Sequence, residues 1–206
     1  MVIYIRTGPE EPTEAHKNYW LALGRFIHAY ALTERETFTL LLEKAGVSRP
    51  MAQALFSGSR VKNTMSLLKR IADVRGQAVP ANVTRAMDQL GHITGARDKI
   101  VHHGATIHDG AFTVTDKHRT IPRQAYEQPF PPETINEMTD DLETIGASFY
   151  TWLCGPNGEG FDASGVSWND RALAPWRYTP PEQAGPQQPR RGKNPKRGHR
   201  PRPCSE

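Results

Sequence analysis

The chain has 206 residues, 37% hydrophobic and 23% charged, which suits one folded domain with unfolded sequence attached and leaves no apolar run near the roughly 18 residues of a membrane span. Only Cys154 and Cys204 occur, and the opening MVIYIRTGPEEP lacks the basic start and apolar core of a secretory leader, so a disulfide framework is not expected and a cytoplasmic location is. The net charge of +4 is unevenly placed: residues 1–176 carry 18 Lys and Arg against 20 Asp and Glu, a net of −2, whereas residues 177–206 carry 8 against 2, a net of +6; the high pI belongs to the C-terminal stretch.

Residues 13–45 predict a long first helix with Trp20, Leu23, Ile27, Tyr30 and Leu41 on one stripe and Gly46 as its stop. Ser48 suits the cap of a short second helix, with Pro50 in its first turn and Met51 and Leu55 facing inward, and Ser57-Gly58-Ser59 breaks it. A third helix is expected from about Asn63 to Arg75, with Met65, Leu68, Ile71 and Ala72 on its apolar face and Gly76 ending it. Pro80 and Asn82 suit the start of a fourth helix whose stripe reads Val83, Met87, Leu90, Ile93, Arg97 and then Ile100 or Val101, ending near His103-Gly104. Asp109-Gly110, between two β-prone runs within 105–115, predicts a tight hairpin, read as a surface decoration. Pro122, Pro129, Pro131 and Pro132 mark an irregular connection. The fifth helix carries Ile135, Met138, Leu142, Ile145, Phe149 and Trp152. Trp168 and Trp176 can tuck a loose segment against the domain. From Pro180 onward almost nothing is apolar, so burial cannot offset ordering entropy. The expected architecture is all-α: an antiparallel bundle of about five helices with a small β-hairpin inserted after the fourth and a disordered basic tail. Its divisions are an N-terminal extension over 1–12, the helical domain over 13–153, a loosely packed extension over 154–179 and the tail over 180–206.

Arg97 breaks an apolar stripe, seven residues after Leu90 and four after Ile93. A guanidinium on a core-facing stripe needs an acidic partner, or else it faces a cleft or another subunit. Glu34 interrupts the first helix's stripe in the same way, so a Glu34–Arg97 pair would satisfy both. His102 lies four residues after Asp98, a spacing that lets the carboxylate touch the imidazole. His103 follows where the helix should end, within the negative end of its dipole. Gly91 and Gly95 leave one side of the helix smooth enough for another backbone to approach.

The run Arg97-Asp-Lys-Ile-Val-His102 resembles the motif of HEPN domains, an arginine, often followed by Asn or Asp, with a histidine a few residues on. The resemblance covers roughly residues 13–153 by helix order. It implies a small, HEPN-like helical bundle that is usually dimeric, and for many members a metal-independent endoribonuclease in toxin–antitoxin, defence or RNA-processing systems. On that basis Arg97 and His102 are the expected catalytic residues, with Asp98, Glu34 and His103 in support; RNA is the expected substrate, a second copy of the chain the expected partner, and an antitoxin or other protein a further one. No cofactor is implied. Some toxins of the family carry a tyrosine two residues after the histidine that a partner nucleotidyltransferase modifies; Gly104 stands here, so that regulation is not supported. The residue types suit the chemistry: a histidine near neutrality moves the 2′-hydroxyl or leaving-group proton, and an arginine clamps the phosphate and offsets transition-state charge. Other families of this fold are not nucleases, and in the competing view Arg97, Asp98 and His102 hold the helices or the dimer together.

His103, His108 and His118 complete no metal-ligand spacing, so no metal is expected. In the tail, Arg190, Arg191, Lys193, Lys196, Arg197, Arg200 and Arg202 suit contact with a nucleic-acid backbone, without interleaved aromatics for base stacking; the alternative is a solvated extension.

Overall fold

The computed structural model describes residues 11–108, 111–115, 127–155, 160 and 164–181. Thr13 caps the first helix, α1 (Glu14–Ala45), by accepting the His16 backbone N–H, and Gly46 ends it in the left-handed region at φ 66°. The buried face of α1 is Tyr19, Ala22, Phe26, Tyr30, Thr33, Thr37 and Leu40–Leu42. Tyr30 and Leu41 lie where the sequence places them, but Trp20 and Ile27 are exposed. Two overlapping apolar stripes compete at the start of this helix. The one carrying Tyr19 and Phe26 is buried, because the Tyr19 ring stacks on Phe112 with centroids 4.0 Å apart.

Helix α2 (Arg49–Phe56) begins after Ser48 with Pro50 in its first turn. Its inward residue is Ala52; Met51 and Leu55, expected to face the core, are 53% and 62% exposed. Eight residues touch the bundle along a single line, and the small side chain at 52 lets the helix lie close. Helix α3 (Val61–Val74) buries Val61, Thr64, Met65, Leu68 and Ala72. Arg75 closes its end by donating to the Ala45 carbonyl at 3.1 Å. Helix α4 (Ala81–His103) buries Val83, Met87, Leu90, Ile93 and Ile100 as expected, with Val101 exposed. Helix α5 (Pro132–Cys154) buries Ile135, Met138, Leu142, Ile145 and Phe149. These residues share one apolar core with the α1 and α4 faces.

Between α4 and α5 lies a small antiparallel sheet in the order β1 (Ala105–His108), β2 (Ala111–Thr115), β3 (Glu127–Pro129). His108 pairs with Ala111; the predicted turn residues Asp109 and Gly110 themselves lie outside the described residues. The third strand lies in the stretch whose prolines predict an irregular connection. The sheet is not a surface decoration: Phe112, Val114 and Phe130 are buried in the core.

A sixth helix, α6 (Trp168–Ala172), is capped by Ser167, whose hydroxyl accepts the Asp170 N–H. The chain that follows is tied down far more firmly than a loose extension. The Asp141 carboxylate, 1% exposed, accepts the Arg177 N–H at 2.8 Å, the Tyr178 N–H at 3.0 Å and the Gln89 amide at 2.7 Å. Gln89 also donates to the Tyr178 carbonyl. Burial raises the Asp141 carboxyl above its ordinary range, against the lowering effect of those three donors. No described helix is long and apolar enough to cross a membrane.

Candidate functional site

Helix α4 positions both motif residues, and it sends them in different directions. Five residues along an α-helix correspond to a rotation of about 140° and a rise of about 7.5 Å. Arg97 therefore points across to α1 while His102 points outward from the last turn. The Arg97 guanidinium lies over the Tyr30 ring, 5.3 Å from its centroid, and donates to Asp98 at 2.8 Å. Tyr30 is itself held through its hydroxyl and that of Thr94, 3.1 Å apart. Burial pushes the Tyr30 phenol up; the Thr94 bond and Arg97 oppose this, and the charges of Glu34 and Asp98 add to it.

The expected Glu34–Arg97 ion pair is not formed. Glu34 is exposed, and the guanidinium is accommodated by an aromatic face instead, which accepts a cation without burying a second charge. Tyr30 and Thr94 are thus the supports that the stripe pattern missed; Tyr30 was visible as a core position but not as the platform for Arg97. The Arg97 side chain keeps 34% of its surface exposed, while its Nε–H is buried without an acceptor among the described residues. Such a donor costs about 1–3 kcal/mol.

His102 and His103 are both exposed in the last turn. Asp98 is committed to Arg97, so the expected Asp98–His102 contact is absent, and among the described residues His102 has no side-chain hydrogen bond. Residues 91, 95, 98 and 102 share one outward face, at spacings of four, three and four. A Cβ added at Gly91 or Gly95 would meet nothing within 4 Å. The histidine therefore stands at the end of an open, smooth helix face.

Two cavities lie elsewhere. One, of about 800 Å³, runs between α1 and α5 beneath Trp168. Gly146 leaves room there for the Glu36 carboxylate, whose Oε2 sits 2.9 Å from where a Cβ would be; burial raises this carboxyl and nearby Arg35 lowers it. The other, about 520 Å³, lies between the start of α1 and Phe112. Neither reaches Arg97 or His102. No group of three metal-ligating side chains occurs among the described residues. His118 and the seven basic residues from Arg190 to Arg202 lie outside the described residues.

Comparison with protein-family models, with curated proteins and with solved structures finds no match for this chain.

Proposed function

We propose that the protein is a HEPN-like, metal-independent endoribonuclease that acts as a homodimer, in the setting of a toxin or defence effector. The observation that carries this is the unequal treatment of the two motif residues. His102 is exposed on a smooth helix face with no side-chain bond among the described residues, and Arg97 is pre-set by Tyr30 and Asp98 while keeping part of its side-chain surface open. A pair retained only to hold helices together would be buried and fully bonded.

In the proposed reaction His102 accepts the proton of an RNA 2′-hydroxyl, whose oxygen attacks the adjacent phosphorus. The bond from phosphorus to the 5′-oxygen breaks, and that oxygen takes up a proton, leaving a 2′,3′-cyclic phosphate and a 5′-hydroxyl. Arg97 binds the phosphate and offsets the charge that grows on its oxygens. One helix turns these two side chains about 140° apart, and one copy of the motif supplies a single histidine where the reaction needs both an acid and a base. Both facts favour a site shared by two copies, with the Gly91/Gly95 face letting them approach.

The position of both cavities away from the pair favours a second reading, a non-catalytic RNA-binding or interaction module in which the motif is structural. Incubation of mixed RNA with the purified protein in EDTA separates the two. Cleavage by wild type and cleavage slower by about 10²–10⁴ with a folded His102→Ala variant is expected; intact RNA with both would leave the module reading standing.

A further inference from the structure

Charge is sharply segregated along residues 1–176 of the sequence. Residues 49–75, which form α2, the intervening turn and α3, hold six Lys and Arg against a single acid, Asp73. The remainder of residues 1–176 holds 12 against 19. Helix α5 contains five acids and no Lys or Arg. A near-neutral average thus conceals a cationic two-helix unit in an otherwise acidic sequence.

Two of the six cations are engaged: Arg75 with the Ala45 carbonyl, and Lys69 near Asp88 at 3.7 Å. The other four, Arg49, Arg60, Lys62 and Arg70, are exposed and have no ion pair among the described residues. Unneutralised cations gathered on one unit repel one another, and a bound polyanion would relieve that repulsion. The outer face of α3 alternates these charges with hydrogen-bonding groups. Asn63, Ser66 and Arg70 fall at spacings of three and four, beside Lys62, and all are exposed. No apolar side chain interrupts that face before Val74. A helix lying in a lipid surface needs a continuous apolar face, and α3 presents a polar one. Serines, asparagine, arginine and lysine are the donors that phosphate and sugar oxygens receive.

We propose that the α2–turn–α3 unit is a binding surface for the sugar–phosphate backbone of nucleic acid, with α3 laid along the strand and Arg49, Arg60, Lys62 and Arg70 neutralising phosphates. It uses neither Arg97 nor His102 and does not depend on the proposed cleavage: a chain that cleaves nothing would still bind here.

The test uses the full chain and fluorescence anisotropy over a range of salt concentrations. The probes are a labelled duplex DNA of two helical turns, the duplex RNA of the same sequence, and one RNA strand. Wild type is compared with a variant carrying Arg49→Gln, Arg60→Gln, Lys62→Gln and Arg70→Gln, and with a control carrying Arg25→Gln and Arg35→Gln, exposed residues of α1 that line the cavity between α1 and α5. The C-terminal tail is present in all three, so its background cancels. Each lost phosphate contact lowers the slope of log affinity against log salt by about 0.9 on duplex DNA and about 0.7 on a single strand. The four-site variant should therefore lose about three to four from the DNA slope and at least about tenfold in affinity, with unchanged circular dichroism and the control close to wild type. Preference for duplex DNA would put α3 in the major groove, which A-form RNA closes to a helix; equal binding of all probes would mean backbone contact alone, and either supports the proposal. An unchanged slope, an equal loss in the control, no nucleic-acid binding by wild type, or binding to phosphatidylserine vesicles in preference to all three probes would overturn it.

Discussion

Arg97→Ala is expected to be a mild lesion for the fold and a severe one for cleavage. The stacked guanidinium contributes about 0.5–2 kcal/mol through the Tyr30 face. Its bond to Asp98, a residue whose side chain is 50% exposed, adds about 0–1 kcal/mol after solvent screening. Removing the side chain also removes a buried, unbonded Nε–H that costs about 1–3 kcal/mol. The net loss is then no more than about 2 kcal/mol, or a fall in melting temperature of a few degrees at roughly 2–4 °C per kcal/mol for a chain of this size. A buried Glu34–Arg97 pair would have cost about 3–5 kcal/mol when broken, so denaturant titration separates the two accounts. Glu34→Ala should change stability by less than about 0.5 kcal/mol. A loss above about 3 kcal/mol for Arg97→Ala, or a comparable loss for Glu34→Ala, would refute the aromatic-platform account. Arg97→Lys should fold normally yet remain impaired in cleavage, because an ammonium keeps the charge without the planar fork.

Asp141→Ala strands the Gln89 amide and frees the chain around Tyr178, so a loss of about 3–5 kcal/mol in unfolding free energy is expected, with faster hydrogen exchange over residues 174–181. Because burial raises the folded carboxyl above its unfolded value, its protonation contributes stability that is fully present below the unfolded pKa and is lost as pH rises through the folded one; the difference in stability between wild type and Asp141→Asn should shift in wild type's favour as pH falls through that window, and a flat difference would contradict the assignment. Phe112→Ala should cost about 3–5 kcal/mol in a thermal or denaturant melt, whereas the double change Met51→Ser and Leu55→Ser should leave the melt within about 1 kcal/mol of wild type.

The helix limits were legible because local chemistry sets them. Thr13 caps, Gly46 and Gly76 take up left-handed backbone, and Gly104 closes α4. Choosing the buried face was harder wherever two apolar stripes overlap, as at Tyr19 and Trp20, because a partner distant in sequence, Phe112, decides between them. The same limit hid β3, the burial of the sheet, and the bonds from Asp141 to residues 177 and 178, which join positions far apart in the chain. At the candidate site, the anomaly of Arg97 was visible as a fault in the stripe. Its resolution was not, since Glu34 and Tyr30 share a helix and only packing selects the ring. The cationic α2–α3 unit is hidden in the net charge of residues 1–176, because that span also holds the five acids of α5.

That His102 drives attack by the RNA 2′-hydroxyl is tested most directly by one cleavage time course in EDTA. Wild type and His102→Ala are each given an RNA oligonucleotide and its fully 2′-O-methyl counterpart, and the product ends are determined. Wild type should cut the RNA to fragments ending in 2′,3′-cyclic phosphate and spare the methylated strand, and His102→Ala, lacking its proton-transfer group, should be slower by about 10²–10⁴. Equal cleavage of both strands, or RNA left equally intact by wild type and variant, would contradict it.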